Sequence, residues 1–199
     1  MSGSFPISTA QFETLGIKSI QDPILSKSVS GKKLSRQIDG QRWAFTARVI
    51  TGKRSDVYGD LMAFIVKQRS GKENFTIIPP EIEDARGTAS GVPHGTASAG
   101  ATSITLGGTG TGTLKAGDFI KFANHDKVYM VVADQADIST GTLTIEPPLT
   151  TAVSSSTIVY DNVPFTVYLT NDIQEFGVVG NDKDGNLLYQ FEIDLEEAL

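Results

Sequence analysis

The sequence predicts a mainly β fold, a β-sandwich domain with one helix that is interrupted by an inserted small β-barrel. Three observations predict it. Apolar and polar residues alternate strictly near both ends of the chain, as in half-buried strands. One segment has helical periodicity, and the middle of the chain changes abruptly to Gly, Thr, Ala and Ser with short apolar runs.

The two strongest strand patterns lie far apart in the chain. Residues 42–51 place Trp43, Phe45, Ala47 and Val49 on one face. The last strand places Leu187, Tyr189, Phe191, Ile193 and Leu195 on one face. Its other face ends in Asp194, Glu196 and the adjacent Glu197, which we expect in solvent. Residues 75–78 predict a further short strand, and the first 40 residues show no long period.

Residues 55–69 form the best helical pattern. Val57, Leu61, Phe64 and Ile65 recur at the spacing of one helix face. Ser55 or Asp56 is the expected N-cap, and Gly71 is expected to end the helix with a positive φ.

The middle of the chain predicts a barrel. Five short apolar segments follow Arg86 and are separated by turn signals, a spacing typical of a barrel of OB-fold size. These segments are 102–106, 118–123, 127–133, 142–146 and 157–160. We therefore predict one domain from residues 1–85 and 163–199, interrupted by an OB-like β-barrel domain at 86–162.

Composition excludes several classes of function. The 199 residues carry a formal charge of −6, which disfavours a broad phosphate-binding surface and thus specific nucleic-acid binding. Apolar runs long enough to cross a membrane are absent from the sequence. Residues 1–85 carry a net +3 and residues 163–199 a net −7. Such opposite charges can attract each other within one fold or between neighbouring copies.

The sequence offers no convincing catalytic, cofactor or metal site. Cysteine is absent and the two histidines, His94 and His125, are far apart in the sequence, so neither a thiolate nor a zinc site is expected. Ser30 and Lys33 have the spacing of penicillin-binding enzymes, but the other motifs of that class are missing. The turn around Gly185 fails the EF-hand pattern, because Gly180 and Phe191 stand where oxygen ligands are needed. A hydrolytic pair of carboxylates stays open as the weakest alternative.

Several motifs in order resemble the distal tail proteins of long-tailed bacteriophages. They are the strand that begins at Trp43, the helix DLMAFIVKQRSG (60–71), FTIIPP (75–80), LKAGDFIK (114–121), HDKVY (125–129) and the ending FEIDLEEAL (191–199). The resemblance implies a belt-type domain, made by both chain ends, that forms a homo-oligomeric, usually hexameric ring. It further implies a non-enzymatic virion protein, assembled in the host cytoplasm, that joins the tail tube protein to the tail tip or baseplate hub.

Charge alone predicts the ring contacts. Lys32, Lys33 and Arg36 are the expected cations, facing the carboxylates of Asp194 and Glu196 on a neighbouring copy. Two other functions remain open. In the first, the chain is a host-adhesion module whose residues 86–162 bind carbohydrate on the host surface. In the second, it is a different structural protein of the phage, another connector of the tail or neck.

Overall fold

The computed structural model describes residues 3–6, 12–21, 23–37, 40–80 and 82–199. Fourteen strands and one α-helix are assigned within these ranges. The strands before the barrel are β1 (Phe12–Ile20), β2 (Pro23–Lys27), β3 (Lys33–Gln37), β4 (Arg42–Lys53) and β5 (Phe75–Ile77). The barrel strands are β6 (Pro93–Ala97), β7 (Ser103–Gly108), β8 (Phe119–Phe122), β9 (Val128–Val131), β10 (Thr142–Glu146) and β11 (Val153–Val159). The last strands are β12 (Phe165–Leu169), β13 (Gly177–Asn181) and β14 (Leu187–Glu197).

Both ends of the described chain build one antiparallel sheet. Its order is β1-β4-β14-β12-β5, and β13 pairs with the first half of β14. The alternation predicted for β4 is confirmed, because Trp43, Phe45, Ala47 and Val49 are all buried. On β14 the predicted apolar face is buried at Phe191, Ile193 and Leu195 but exposed at Leu187, where the strand begins.

The helix differs from the prediction at its beginning. Residues Arg54–Tyr58 form a π-helical turn, and the α-helix α1 spans Gly59–Lys67. The Gly59 N–H donates to the Arg54 carbonyl, and a Cβ on residue 59 would lie 2.8 Å from that oxygen. The wider turn lets Tyr58 bury its ring and donate its hydroxyl to the Ile50 carbonyl. The expected cap at Ser55 or Asp56 was therefore wrong: Tyr58 precedes the α-helix without a side-chain cap bond.

Gly71 has the predicted positive φ, but the expectation that it ends the helix was wrong. Its φ is +79°, and a Cβ there would lie 2.2 Å from the Leu169 carbonyl oxygen. Only glycine fits this close approach of the chain to strand β12. The α-helix itself ends at Lys67, and Arg69 lies beyond it with a positive φ of 54°.

The middle of the chain forms a closed antiparallel barrel in the order β10-β7-β6-β11-β8-β9. The mainly β fold class with a small barrel is thus confirmed. The expected count of five barrel strands was wrong, because β6 lies inside the Gly- and Ser-rich stretch that carried no strand pattern. Residues 23–37 likewise form a paired hairpin, and β1 pairs with β4, although the first 40 residues showed no long period.

Two apolar cores meet where barrel and sheet join. The sheet core includes Leu61 and Ile65 of the helix, and it also takes in Phe119 and Val128 from the barrel. A second core fills the barrel interior. The predicted division into domains at residues 86 and 162 stays a prediction. Within the described residues, no helix has the length and apolar character that a membrane span requires.

Candidate interaction surfaces

Strands β2 and β3 form a two-stranded hairpin, here called the basic hairpin (residues 23–37). Its pairing runs from Pro23 opposite Gln37 to Lys27 opposite Lys33. The turn is closed by the Gly31 N–H, which donates to the Ser28 carbonyl at 2.8 Å, and Gly31 has a φ of +81°. From residue 23 to residue 36, all side chains except that of Ser28 are exposed. A two-stranded hairpin with both faces in water is marginally stable by itself, so this element is suited to a partner surface.

The basic hairpin combines positive charge with exposed apolar side chains. It carries four cations and no acidic residue, and the predicted contacts Lys32, Lys33 and Arg36 lie on it together. Among the described residues, these three cations have no ion-pair partner. Its exposed large apolar residues are Ile24, Leu25, Val29 and Leu34. Apolar residues ringed by charge are typical of a protein–protein contact.

The two carboxylates predicted to face these cations lie on β14 and already have partners in the same chain. Glu196 forms an ion pair with Arg42, with 2.7 Å between Oε1 and Nη1. Asp194 accepts hydrogen bonds from the Thr46 hydroxyl at 2.8 Å and from the Asn171 amide at 3.0 Å. The structure thus brings the predicted cations together on one element and the predicted acids on another.

An aromatic contact fixes the barrel against the sheet. The Trp43 ring, at the start of β4, packs edge-on against Phe119 of the barrel, with 5.1 Å between centroids. Phe119 also contacts Phe165 of the sheet at 5.7 Å. The Trp43 indole N–H donates to the Val128 carbonyl of the barrel at 2.9 Å. Trp43 is therefore a core residue, as expected, and its particular place is the junction of the two cores.

A buried ion pair lies beside this aromatic contact. Lys127 Nζ approaches Glu197 Oε2 to 2.5 Å, and the two side chains are only 2% and 0% exposed. The Glu197 carboxylate also accepts from the backbone N–H groups of Val128 (2.8 Å) and Trp43 (3.1 Å). Lys127 donates further to the Gln41 side-chain oxygen at 2.9 Å. The expectation that Glu197 lies in solvent was wrong, because Lys127 and two N–H groups compensate its burial.

Burial and charge act in opposite directions on this pair. Burial raises the pKa of the Glu197 carboxyl group, while the adjacent Lys127 ammonium lowers it. Burial lowers the pKa of Lys127, and the Glu197 carboxylate opposes that shift. The sequence carried no sign of this pair, because Lys127 and Glu197 are 70 residues apart.

The two chain crossings between sheet and barrel run side by side. The Ala85 N–H donates to the Tyr160 carbonyl, and the Val163 N–H donates to the Glu83 carbonyl, each at 2.9 Å. The Asp84 carboxylate accepts from the Asn162 N–H at 2.9 Å, which lowers the pKa of Asp84. The ends of the inserted segment are therefore hydrogen-bonded to each other, as an insertion between two elements of a domain requires.

The histidines have structural partners. His125 Nδ1 lies 2.9 Å from the Asn124 side-chain oxygen, and Nε2 lies 2.8 Å from the hydroxyl of the buried Tyr129. Burial lowers the pKa of His125. Because the Asn124 side-chain oxygen can only accept, the neutral ring carries its proton on Nδ1 and accepts from Tyr129 through Nε2. His94 lies elsewhere on the barrel, with Nδ1 2.9 Å from the Ser155 carbonyl oxygen.

The barrel surface offers little for sugar stacking or metal binding. Of its four aromatic residues, Phe119, Phe122 and Tyr129 are buried, and only Tyr160 is partly exposed. The Tyr160 hydroxyl donates to the Gly91 carbonyl, and the ring borders a shallow cavity of about 340 Å³. Three or more potential metal ligands do not cluster anywhere in the part of the chain that the structure describes.

Comparison with known families gives a match for the barrel region. Residues 84–163 match the family model described as the distal tail protein pb9, B domain. No curated protein matches the chain. The matched range contains all six barrel strands and both crossings, so the family match and the fold concern the same unit. Residues 84–163 are thus similar to the B domain of a phage distal tail protein, which agrees with the resemblance that the motifs along the chain carry.

Proposed function

We propose that the chain forms a homo-oligomeric ring, hexameric in the intact tail, that joins the tail tube to the tip or baseplate and catalyses no reaction. The match to a distal tail protein domain supports the location. The basic hairpin supports self-association, because a stable monomer rarely exposes an unsupported strand pair with four large apolar side chains.

The arrangement of the junction supports a structural role. The barrel contacts the sheet through aromatic packing, the Lys127–Glu197 pair and two hydrogen-bonded crossings. A barrel held at several points keeps a fixed orientation towards the sheet. In a ring, every copy would then present its barrel at the same angle to the next component of the tail.

Two measurements test the proposal. Light scattering after size exclusion, followed by negative-stain microscopy, should show a closed ring of the full chain at micromolar concentration. Immunogold labelling of phage particles should mark the tail below the tube. A chain that remains a 21.3 kDa monomer at every concentration would refute ring formation, and label at the neck would make the protein a neck connector.

A further inference from the structure

A second segment of the sheet domain has the opposite charge to the basic hairpin. This acidic segment (residues 171–187) leads from β12 through β13 to the start of β14. It contains four acidic residues and one lysine, for a net charge of −3. The turn at 182–186 is held by Asp182, which accepts from the Asp184 and Asn186 N–H groups and pairs with Lys53 at 2.5 Å.

The acidic segment also exposes apolar side chains. Ile173 is 86% exposed, and Val178, Val179 and Leu187 are each about half exposed. Asp172, Glu175 and Asp184 are exposed and have no ion-pair partner among the described residues. Unlike Asp194 and Glu196, these carboxylates are free to meet cations from outside the chain.

The basic hairpin and the turn of the acidic segment lie towards opposite ends of strand β4. The basic hairpin connects the end of β1 with the start of β4, where Ile20 pairs with Arg42. The turn of the acidic segment lies at the other end of β4, where Leu188 pairs with Lys53. Arg42 and Lys53 are the two ends of this twelve-residue strand, eleven steps apart, which is about 36 Å at ~3.3 Å per residue. In one copy the hairpin and this turn are both exposed, so neither covers the other.

We propose that the basic hairpin of one copy binds the acidic segment of the next copy, in a head-to-tail contact that repeats around the ring. This inference rests on the proposed ring and names its two surfaces. The four cations of the hairpin meet the carboxylates of Asp172, Glu175 and Asp184, and exposed aliphatic side chains lie on both sides. A contact between two different surfaces of the same chain repeats from copy to copy and closes where the rotation allows it. Complementary charge guides such a contact and fixes its register.

Engineered disulfides give the sharpest test, because the chain has no cysteine of its own. Val29→Cys at the tip of the basic hairpin is combined, one at a time, with Ile173→Cys, Val178→Cys or Val179→Cys. Oxidation should link copies of at least one double variant into a ladder that ends at the full ring, since a disulfide needs Cα atoms within about 7 Å. The single variants should stop at dimers, and the control pair Val29→Cys with Val66→Cys, on the exposed face of α1, should give no ladder.

Charge reversal provides the second readout. Lys32→Glu with Lys33→Glu should raise the concentration at half-assembly at least tenfold, whereas Arg69→Glu with Lys72→Glu, an equal change elsewhere, should not. Adding Glu175→Lys with Asp184→Lys should restore assembly. If rings form, but no double cysteine variant gives a disulfide-linked ladder and Lys32→Glu with Lys33→Glu does not weaken assembly, this contact is refuted. The proposed ring is then unaffected. Rescue by Asp194→Lys with Glu196→Lys instead would overturn this contact in favour of the β14 carboxylates. A monomeric unmodified chain would refute the ring itself.

Discussion

Replacing Lys127 with methionine should destabilise the fold by about 3 kcal/mol. The substitution keeps an apolar stem of similar length but removes the cation next to Glu197, whose side chain is fully buried. The carboxylate would keep two backbone N–H donors and lose its only ion-pair partner among the described residues. Removing one member of a buried pair costs about 3–5 kcal/mol, and the retained N–H groups place the expected loss at the lower end of that range.

Urea denaturation followed by tryptophan fluorescence measures this loss directly. Trp43 is the only tryptophan, and its indole lies in the junction, where it hydrogen-bonds to the barrel. The matched control is Lys115→Met, which breaks an exposed pair with Asp134 whose side chains are 47% and 61% exposed. That control should cost less than about 1 kcal/mol.

A double variant separates the charge from the packing. Glu197→Gln added to Lys127→Met removes the stranded charge and keeps an acceptor for the Val128 N–H. The double variant should therefore be more stable than Lys127→Met alone, with a coupling above about 1 kcal/mol. If Lys127→Met costs no more than Lys115→Met, or if the two changes at the junction simply add, the argument from the buried pair is refuted.

Three further results are expected. Gly95→Ala should cost about 1–3 kcal/mol in thermal or urea unfolding, because its Cβ would lie 2.6 Å from the Phe122 ring; Gly107→Ala, with open space around it, should be nearly neutral. Gly71→Ala should also destabilise by more than about 1 kcal/mol, since it combines a positive φ with a clash against backbone. The lowered pKa of His125 means that the unfolded chain binds the proton first as pH falls. Stability should thus drop from about pH 6.5 downwards, and less so in His125→Gln when melting temperatures are compared at pH 7.5 and 5.5.

Sequence patterns predicted the structure correctly where the geometry of an element depends on neighbouring residues in the chain. The alternation in β4 predicted its buried face, because successive residues of a strand point to opposite sides. The positive φ of Gly71 was also predicted from its place after a helical pattern, although the helix ends at Lys67 and Arg69 takes the left-handed conformation after the Gln68 C-cap. The regular spacing of short apolar segments predicted the barrel, although strand β11 begins several residues earlier than the predicted segment.

Contacts between segments that are distant in the sequence could not be predicted from these local patterns. Glycine-rich sequence is typical of linkers, yet Gly95 and its neighbours form β6, where Phe122 and Ile104 leave no space for a Cβ. A sequence shows that glycine is present, but not that a ring from another strand fills the position. The burial of Glu197 could not be predicted for the same reason: it depends on a distant residue. Its carboxylate can be buried because the Lys127 ammonium forms an ion pair with it.

The charges of the sheet domain divide into two kinds by their partners. Arg42, Lys53 and Glu196 have ion-pair partners in the chain, so they stabilise the fold and contribute little to an external contact. The cations of the basic hairpin and Glu175 in the acidic segment have no such partner among the described residues. The net charge of a sequence segment cannot distinguish the two kinds, because paired and unpaired side chains contribute equally to it. Pairing within the fold separates them, and this difference is the reason for proposing the acidic segment, rather than the carboxylates at the end of β14, as the partner of the hairpin.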